Sequence, residues 1–117
     1  MIIQLLMLIV TAAVQGSGIG APAIVFVCEY GAAKSVIATA YFNKLAAERG
    51  MPVRATFRGT APQDDLSVRA VAGLRADGVT VPAGKPTAID ENDITHASHI
   101  FAIGCTLPDK ALSLIHI

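Results

Sequence analysis

The sequence predicts an α/β fold of three layers, with a parallel sheet between helices. Three observations point there. Short apolar runs rich in β-branched and aromatic residues recur at Ala23–Val27, Val53–Thr60 and His99–Ile103, each too short for a helix. Between them lie stretches with apolar residues at helical spacing. Strand–helix alternation, in turn, forces parallel pairing through right-handed crossovers with helices on both faces. At 117 residues the chain has room for one small domain.

Taken in order, residues 1–20 begin with an apolar run, MIIQLLMLIVTAAV, followed by Gly, Ser and Ala. It is too short to span a bilayer as a helix, so no stable membrane span is expected, but it suits the apolar core of a secretory signal. No Lys or Arg stands near Met1, and a mis-assigned start or an apolar tail is the competing reading. Periplasmic or secreted location follows if the leader directs export, and cytoplasmic location otherwise.

The first strand, Ala23–Val27, runs into Cys28-Glu29-Tyr30-Gly31-Ala32-Ala33-Lys34-Ser35. A helix then covers Ser35 to Arg49, with Ile37, Tyr41 and Leu45 at helical spacing, flanked by Ala38, Phe42 and Ala46, and Gly50 as its stop. Cys28 therefore stands at a strand-to-helix turn. Successive backbone N–H groups and the positive helix end make an anion-binding concavity at such a turn. That field favours thiolate over thiol, and Lys34 adds positive charge. A thiolate facing an oxyanion pocket is a nucleophile for phosphorus or arsenic. The alternative is a buried structural cysteine in an ordinary turn.

Past Pro52, the second strand spans Val53–Thr60 and places Arg54 and Arg58 on the face of Thr56. These arginines read as a solvated strand edge before they read as a binding site. Asp64 and Asp65 are placed to cap a helix from about Leu66 to Ala76, with Val68, Val71, Ala72 and Leu74 on its apolar side. Residues 79–87 form a loop. A short helix over Ala88–Ile94, capped by Asp90, leads to the third strand at His99–Ile103, closed by Gly104 and Cys105. Asp90, Glu91 and Asp93 read as a solvated helix start. His96 and His99 lack a third ligand at sensible spacing and read as surface or loop-packing histidines. Nine basic residues balance nine acidic ones and there is no Trp, which argues against nucleic acid as a partner.

A strand ending in Cys, then five residues, a basic residue and a Ser opening a helix resembles the low-molecular-weight protein-tyrosine phosphatases. It is equally similar to the thioredoxin-coupled arsenate reductases of the same fold. The resemblance covers residues 21–111 and implies a low-molecular-weight tyrosine phosphatase-like sheet, truncated before its fourth strand. It implies that Cys28 is the nucleophile and that Ser35 stabilises its thiolate. The N–H groups of Glu29, Tyr30, Gly31, Ala32, Ala33, Lys34 and Ser35 would hold the oxyanion. Two positions depart from the family: Lys34 replaces its Arg, and Gly31 its usual Asn. Gly31 suits a position that needs positive φ; Lys34 replaces a two-pronged grip by a point charge.

Cys105 matches the Gly-Cys or Leu-Cys pair of the reductases, which implies a resolving thiol; a small apolar residue at a strand end is the equal alternative. The further downstream cysteine of the reductases is missing. The general acid implied by the phosphatases, an Asp usually followed by Pro, has no match here, because Asp109 follows a Pro. No cofactor is implied. The expected partners are a phosphorylated protein or small phosphomonoester, or arsenate with a thiol–disulfide reductant. Residues 112–117 (LSLIHI) match one reading frame of a transposon-end sequencing adapter and read as a non-native tail. A weakly active or inactive oxyanion-binding domain, with Lys34 lowering turnover, is the non-enzymatic reading.

Overall fold

The computed structural model describes residues 23–107; the expected leader at 1–20 and the tail at 112–117 lie outside them, as does Asp109. Strands β1 (Ala23–Cys28), β2 (Arg54–Gly59) and β3 (His99–Ala102) form a parallel sheet in the order β2-β1-β3. β1 is central and apolar throughout, as a strand covered on both faces must be. Its register sets Cys28 beside Gly59 of β2 and Val27 beside Ala102 of β3. The C-terminal ends of all three strands thus meet at one edge, where ligands bind in open parallel sheets.

The two faces separate by the alternation of side chains. Val25, Val27, Ile100 and Ala102 point to one face and pack with Ala97, Leu107 and the partly buried Ile94 of α3 (Glu91–His96). Ile24 and Phe26 point to the other, against Phe42 and Ala46 of α1 (Lys34–Glu48). Phe26 stacks on Phe101 at 5.3 Å and meets Phe42 edge-on at 5.9 Å. On the same side α2 (Val68–Ala76) lays Leu74 against Val36, Ala40 and Phe57. Among the described residues no helix is long and apolar enough to cross a membrane.

Both larger helices are rotated from the faces their sequences suggest, although Leu74 of α2 and the flanking Phe42 and Ala46 of α1 do meet the core as expected. α1 buries Ser35, Val36, Thr39, Ala40 and Ala46, while Ile37 and Leu45 are exposed and Tyr41 is only partly covered. Small residues face the sheet because they let the helix approach closely; the larger Ile37 and Tyr41 instead flank α2, and Tyr41 hydroxyl donates to Asp77. α2 starts later than expected. Ser67, not Asp64 or Asp65, caps it by accepting the Ala70 N–H at 3.2 Å. Its core residues are Ala70 and Leu74, and Val68 stands 82% exposed. Asp90 does cap α3, through a reciprocal box with Asp93. His96 Nδ1 lies 2.9 Å from Asn92 O, and the His99 ring stacks on Phe101.

Arg58 is not a solvated edge residue. Its side chain is 24% exposed and its Nε donates to Asp93, itself 9% exposed, at 2.8 Å. Arg54, on the same strand face, is exposed as expected.

Candidate active site

Residues 28–35 close the gap between β1 and α1, and their shape is fixed from outside. Four carbonyls of this loop accept hydrogen bonds from the chain that follows β2. Thr60 N–H donates to Cys28 O at 3.1 Å, Ala61 to Glu29 O at 2.7 Å, Gln63 to Tyr30 O at 3.2 Å and Ser67 to Ala32 O at 2.9 Å. With these carbonyls held outward, the N–H groups of Gly31, Ala32 and Ser35 are left to point at the Cys28 sulfur. Gly31 has φ +59°, as expected. The helix side agrees. Ala33, the N-cap of α1, offers no side-chain cap, and the first turn holds no acidic residue, so the positive helix end is open to an anion.

One contact makes the arrangement possible. Gly31 and Gly59 meet so closely that a Cβ on Gly59 would lie 2.7 Å from Gly31 N, and one on Gly31 would lie 2.8 Å from Gly59 N. Two glycines, one on the loop and one at the end of β2, are needed for backbone to rest on backbone.

Cys28 is 5% exposed and its Sγ lies 3.1 Å from Ser35 Oγ, which is wholly buried. Burial opposes ionisation of this thiol. The Ser35 hydroxyl and the N–H groups of Ser35, Gly31 and Ala32 outweigh it and draw the thiol below its ordinary range. Cys105 behaves oppositely. Burial pushes it up, the Ile103 backbone pulls it down, and the negative field of Cys28 and Glu29 raises it against Lys34. Its Sγ lies 3.6 Å from Val27 O, the carbonyl just before Cys28, and both cysteines are free.

A pocket of about 500 Å³ opens above Cys28. Glu29, Tyr30, Ala32, Ala33 and Lys34 line it from the loop, and Gln63, Ser67, Val68 and Gly104 line it from across. Lys34 begins α1 and reaches toward Gly104, where a Cβ would come within 3.4 Å of its Nζ. The structure thus brings together Cys28 and the 29–35 loop, whereas Cys105 packs against the Val25, Val27 and Ile100 core and does not line this pocket. Gln63, Ser67, Val68, Gly104 and the Gly59 support were not legible as site residues. A wider cleft of about 630 Å³ lies between α1, β2 and residues 78–83, and none of the loop residues lines it.

The geometry makes Cys28 testable by alkylation alone. The reaction needs thiolate, so the rate with iodoacetamide should rise through a midpoint below that of an ordinary cysteine. Ser35→Ala removes the largest lowering influence and leaves burial opposed by fewer donors, so the midpoint should move to higher pH. Linkage gives the matching sign. The parent gains stability from Cys28 above the ordinary thiol range and loses it as pH falls through the lowered value.

No protein-family model matches the chain, and no curated protein matches it. Solved structures do. The low-molecular-weight protein tyrosine phosphatase of T. tengcongensis superposes with a TM-score of 0.65 at 22% identity, covering 70% of this chain and 58% of that one. The thioredoxin-dependent arsenate reductase of Corynebacterium glutamicum gives 0.65 at 20%, covering 80% and 48%. The YwlE arginine phosphatase of Bacillus subtilis gives 0.64 at 21%, covering 68% and 53%. The chain has the fold of these proteins and spans about half the length of each.

Proposed function

We propose that Cys28 is the nucleophile of a cysteine-dependent phosphatase of the protein-tyrosine phosphatase type, acting on phosphomonoesters. The observation that carries this is the position of the Cys28 sulfur, 3.1 Å from a wholly buried Ser35 hydroxyl at the uncapped start of α1, surroundings that draw its thiol below the ordinary range. Structural cysteines in apolar surroundings shift the other way. The shared fold with phosphatases supports the reading.

The Cys28 thiolate attacks phosphorus, the P–O bond to the substrate breaks, and the departing oxygen leaves with the bonding pair and takes a proton from solvent. Loop N–H groups and Lys34 hold the three equatorial oxygens, over which the charge is spread in the transition state. Water then attacks the phosphocysteine, inorganic phosphate leaves and the thiolate re-forms. The Ser35 hydroxyl stabilises that leaving thiolate. No cofactor takes part. The phosphoryl group comes from a phosphoprotein or a small phosphomonoester; a phosphoarginine, the substrate class in the name of the YwlE arginine phosphatase, would instead break a P–N bond and leave through a protonated guanidino nitrogen.

Cys105 favours a second reading, arsenate reduction. Cys28 would displace water from arsenate. Cys105 would then attack the Cys28 sulfur, so that arsenic leaves with the S–As electron pair as arsenite and a Cys28–Cys105 disulfide forms. A thiol–disulfide reductant would reset the pair. Cys105 Sγ sits 3.6 Å from the carbonyl preceding Cys28 but packs against the Val27 side of the sheet, so the segment after β3 would have to move to bring the Cα atoms within the roughly 7 Å that a disulfide needs.

One protocol tests both. After acid quenching of the full chain with p-nitrophenyl phosphate, mass spectrometry should find phosphate on Cys28 and none in Cys28→Ala. No adduct on an alkylatable Cys28 overturns the phosphatase reading. With arsenate in place of the ester, a Cys28–Cys105 disulfide that needs arsenate, and is lost in Cys105→Ser, selects the reductase.

A further inference from the structure

Arg58 stands one residue before Gly59, on the β2 face shared with Thr56. Its Nη1 donates to Thr56 Oγ1 at 3.2 Å and to Phe57 O at 2.8 Å, which fixes the guanidinium against its own strand. Its Nε donates at 2.8 Å to Asp93 Oδ2, and that same oxygen accepts the Asp90 N–H at 3.1 Å. Asp90 Oδ1 returns the bond, accepting the Asp93 N–H at 2.9 Å. One carboxylate oxygen therefore joins the end of β2 to the start of α3. The chain leading into α3 is tied to Gly59 as well. Gly59 N–H donates to Thr87 O at 2.9 Å, and Ile89 N–H donates to Gly59 O at 3.0 Å. Gly59 is the residue on which Gly31 rests, and the next two N–H groups hold the carbonyls of Cys28 and Glu29.

We propose that Arg58 and Asp93 are positioning residues for the nucleophile: their ion pair pins the strap at 87–93 across the end of β2, and Gly59 passes that constraint to the Cys28 loop. The proposal rests on the reading of Cys28 as the nucleophile. A largely desolvated ion pair adds little stability over an apolar pair of the same size. What it supplies is one geometry, because a guanidinium with three acceptors at fixed angles cannot slide along the strand. Displacement of Gly59 by a fraction of an ångström would turn the Gly31 and Ala32 N–H groups off the sulfur. The thiolate, stabilised by those donors, would be lost first.

The test is the pH dependence of Cys28 alkylation by iodoacetamide in the full chain carrying Cys105→Ser, which leaves one thiol. Arg58→Met removes a positive charge and Asp93→Asn removes a negative one. Through charge alone the two would move the alkylation midpoint in opposite directions. Through positioning both move it to higher pH, and both slow alkylation at neutral pH by roughly threefold or more. Glu29 and Lys34, the charged residues of the loop, are unchanged in every arm. Arg58→Lys, which keeps charge but not the fork, should fall between parent and Arg58→Met. Ile94→Val, on α3 but outside the pair, serves as a control that lowers the melting temperature without moving the midpoint. Opposite shifts, or losses of melting temperature with an unmoved midpoint, overturn the proposal. An ordinary midpoint in the parent overturns the nucleophile reading itself, so the two failures are distinguishable.

Discussion

Gly59→Ala is expected to abolish hydrolysis of p-nitrophenyl phosphate, with a loss of about 100-fold or more, while the sheet still forms. The added Cβ would lie 2.7 Å from Gly31 N, 2.9 Å from Tyr30 C and 3.0 Å from Glu29 O. All three are backbone atoms, so no side chain can rotate away. Either β2 or the loop must yield. β2 is held by its full register against β1, from Ala23↔Arg54 to Cys28↔Gly59, and by Thr87 and Ile89 across its end. The loop is held mostly by the chain from Thr60 to Ser67, which moves with Gly59. The loop therefore shifts, and displacements near 1 Å at a catalytic centre cost on the order of a hundredfold. Gly73→Ala is the matched control. Gly73 lies inside α2 with nothing within 4 Å of its added Cβ, and the change should stabilise the protein by about 0.5–1 kcal/mol. If turnover in Gly59→Ala stays within a few fold of the parent, the close glycine contact does not set the loop.

The parts of this arrangement that could be read from sequence are those carried by short-range rules. β1 shows as a β-branched run, the loop as a strand-to-helix turn ending in Lys-Ser, and α3 through Asp90 at its cap. Each depends on residues within a few positions of one another. The face of α1 is readable only at its flank, in Phe42 and Ala46, because apolar spacing favours the large side chains Ile37 and Leu45, whereas contact with the sheet selects the small Ser35, Thr39 and Ala40. Asp64, Asp65 and Ser67 are all good caps, and which one serves depends on where the loop beyond β2 releases the chain. Ser67 N–H is engaged by Ala32 O and its hydroxyl by Ala70, and that fixes the start of α2. The Arg58–Asp93 pair spans 35 positions and carries no local pattern. Gly31 was legible as a positive-φ residue, but its contact with Gly59 depends on how β1 and β2 pair, which no local rule specifies.

Lys34→Arg is expected to raise turnover of p-nitrophenyl phosphate by roughly tenfold or more, with a much smaller change in inhibition by inorganic phosphate. This ester suits the question because its leaving oxygen is a weak base and departs without a general acid, so the carboxylate that would protonate natural leaving groups does not enter. A lysine ammonium at the start of α1 attracts the bound anion as a point charge, in ground state and transition state alike. Uniform attraction of that kind improves binding without raising kcat. A guanidinium donates two parallel N–H bonds in a fixed plane, and these align with the equatorial oxygens as the phosphoryl group flattens. One well-placed donor at such a centre is worth about 100-fold or more when removed, so gaining part of that alignment gives the expected rise. There is space for the longer side chain. Lys34 lines an open pocket of about 500 Å³ and reaches over Gly104, which has no Cβ to obstruct it. Equal or lower turnover in the Arg variant, with phosphate inhibition intact, would mean that residue 34 faces the anion at rest but not in the transition state. That outcome would favour the oxyanion-binding reading over catalysis.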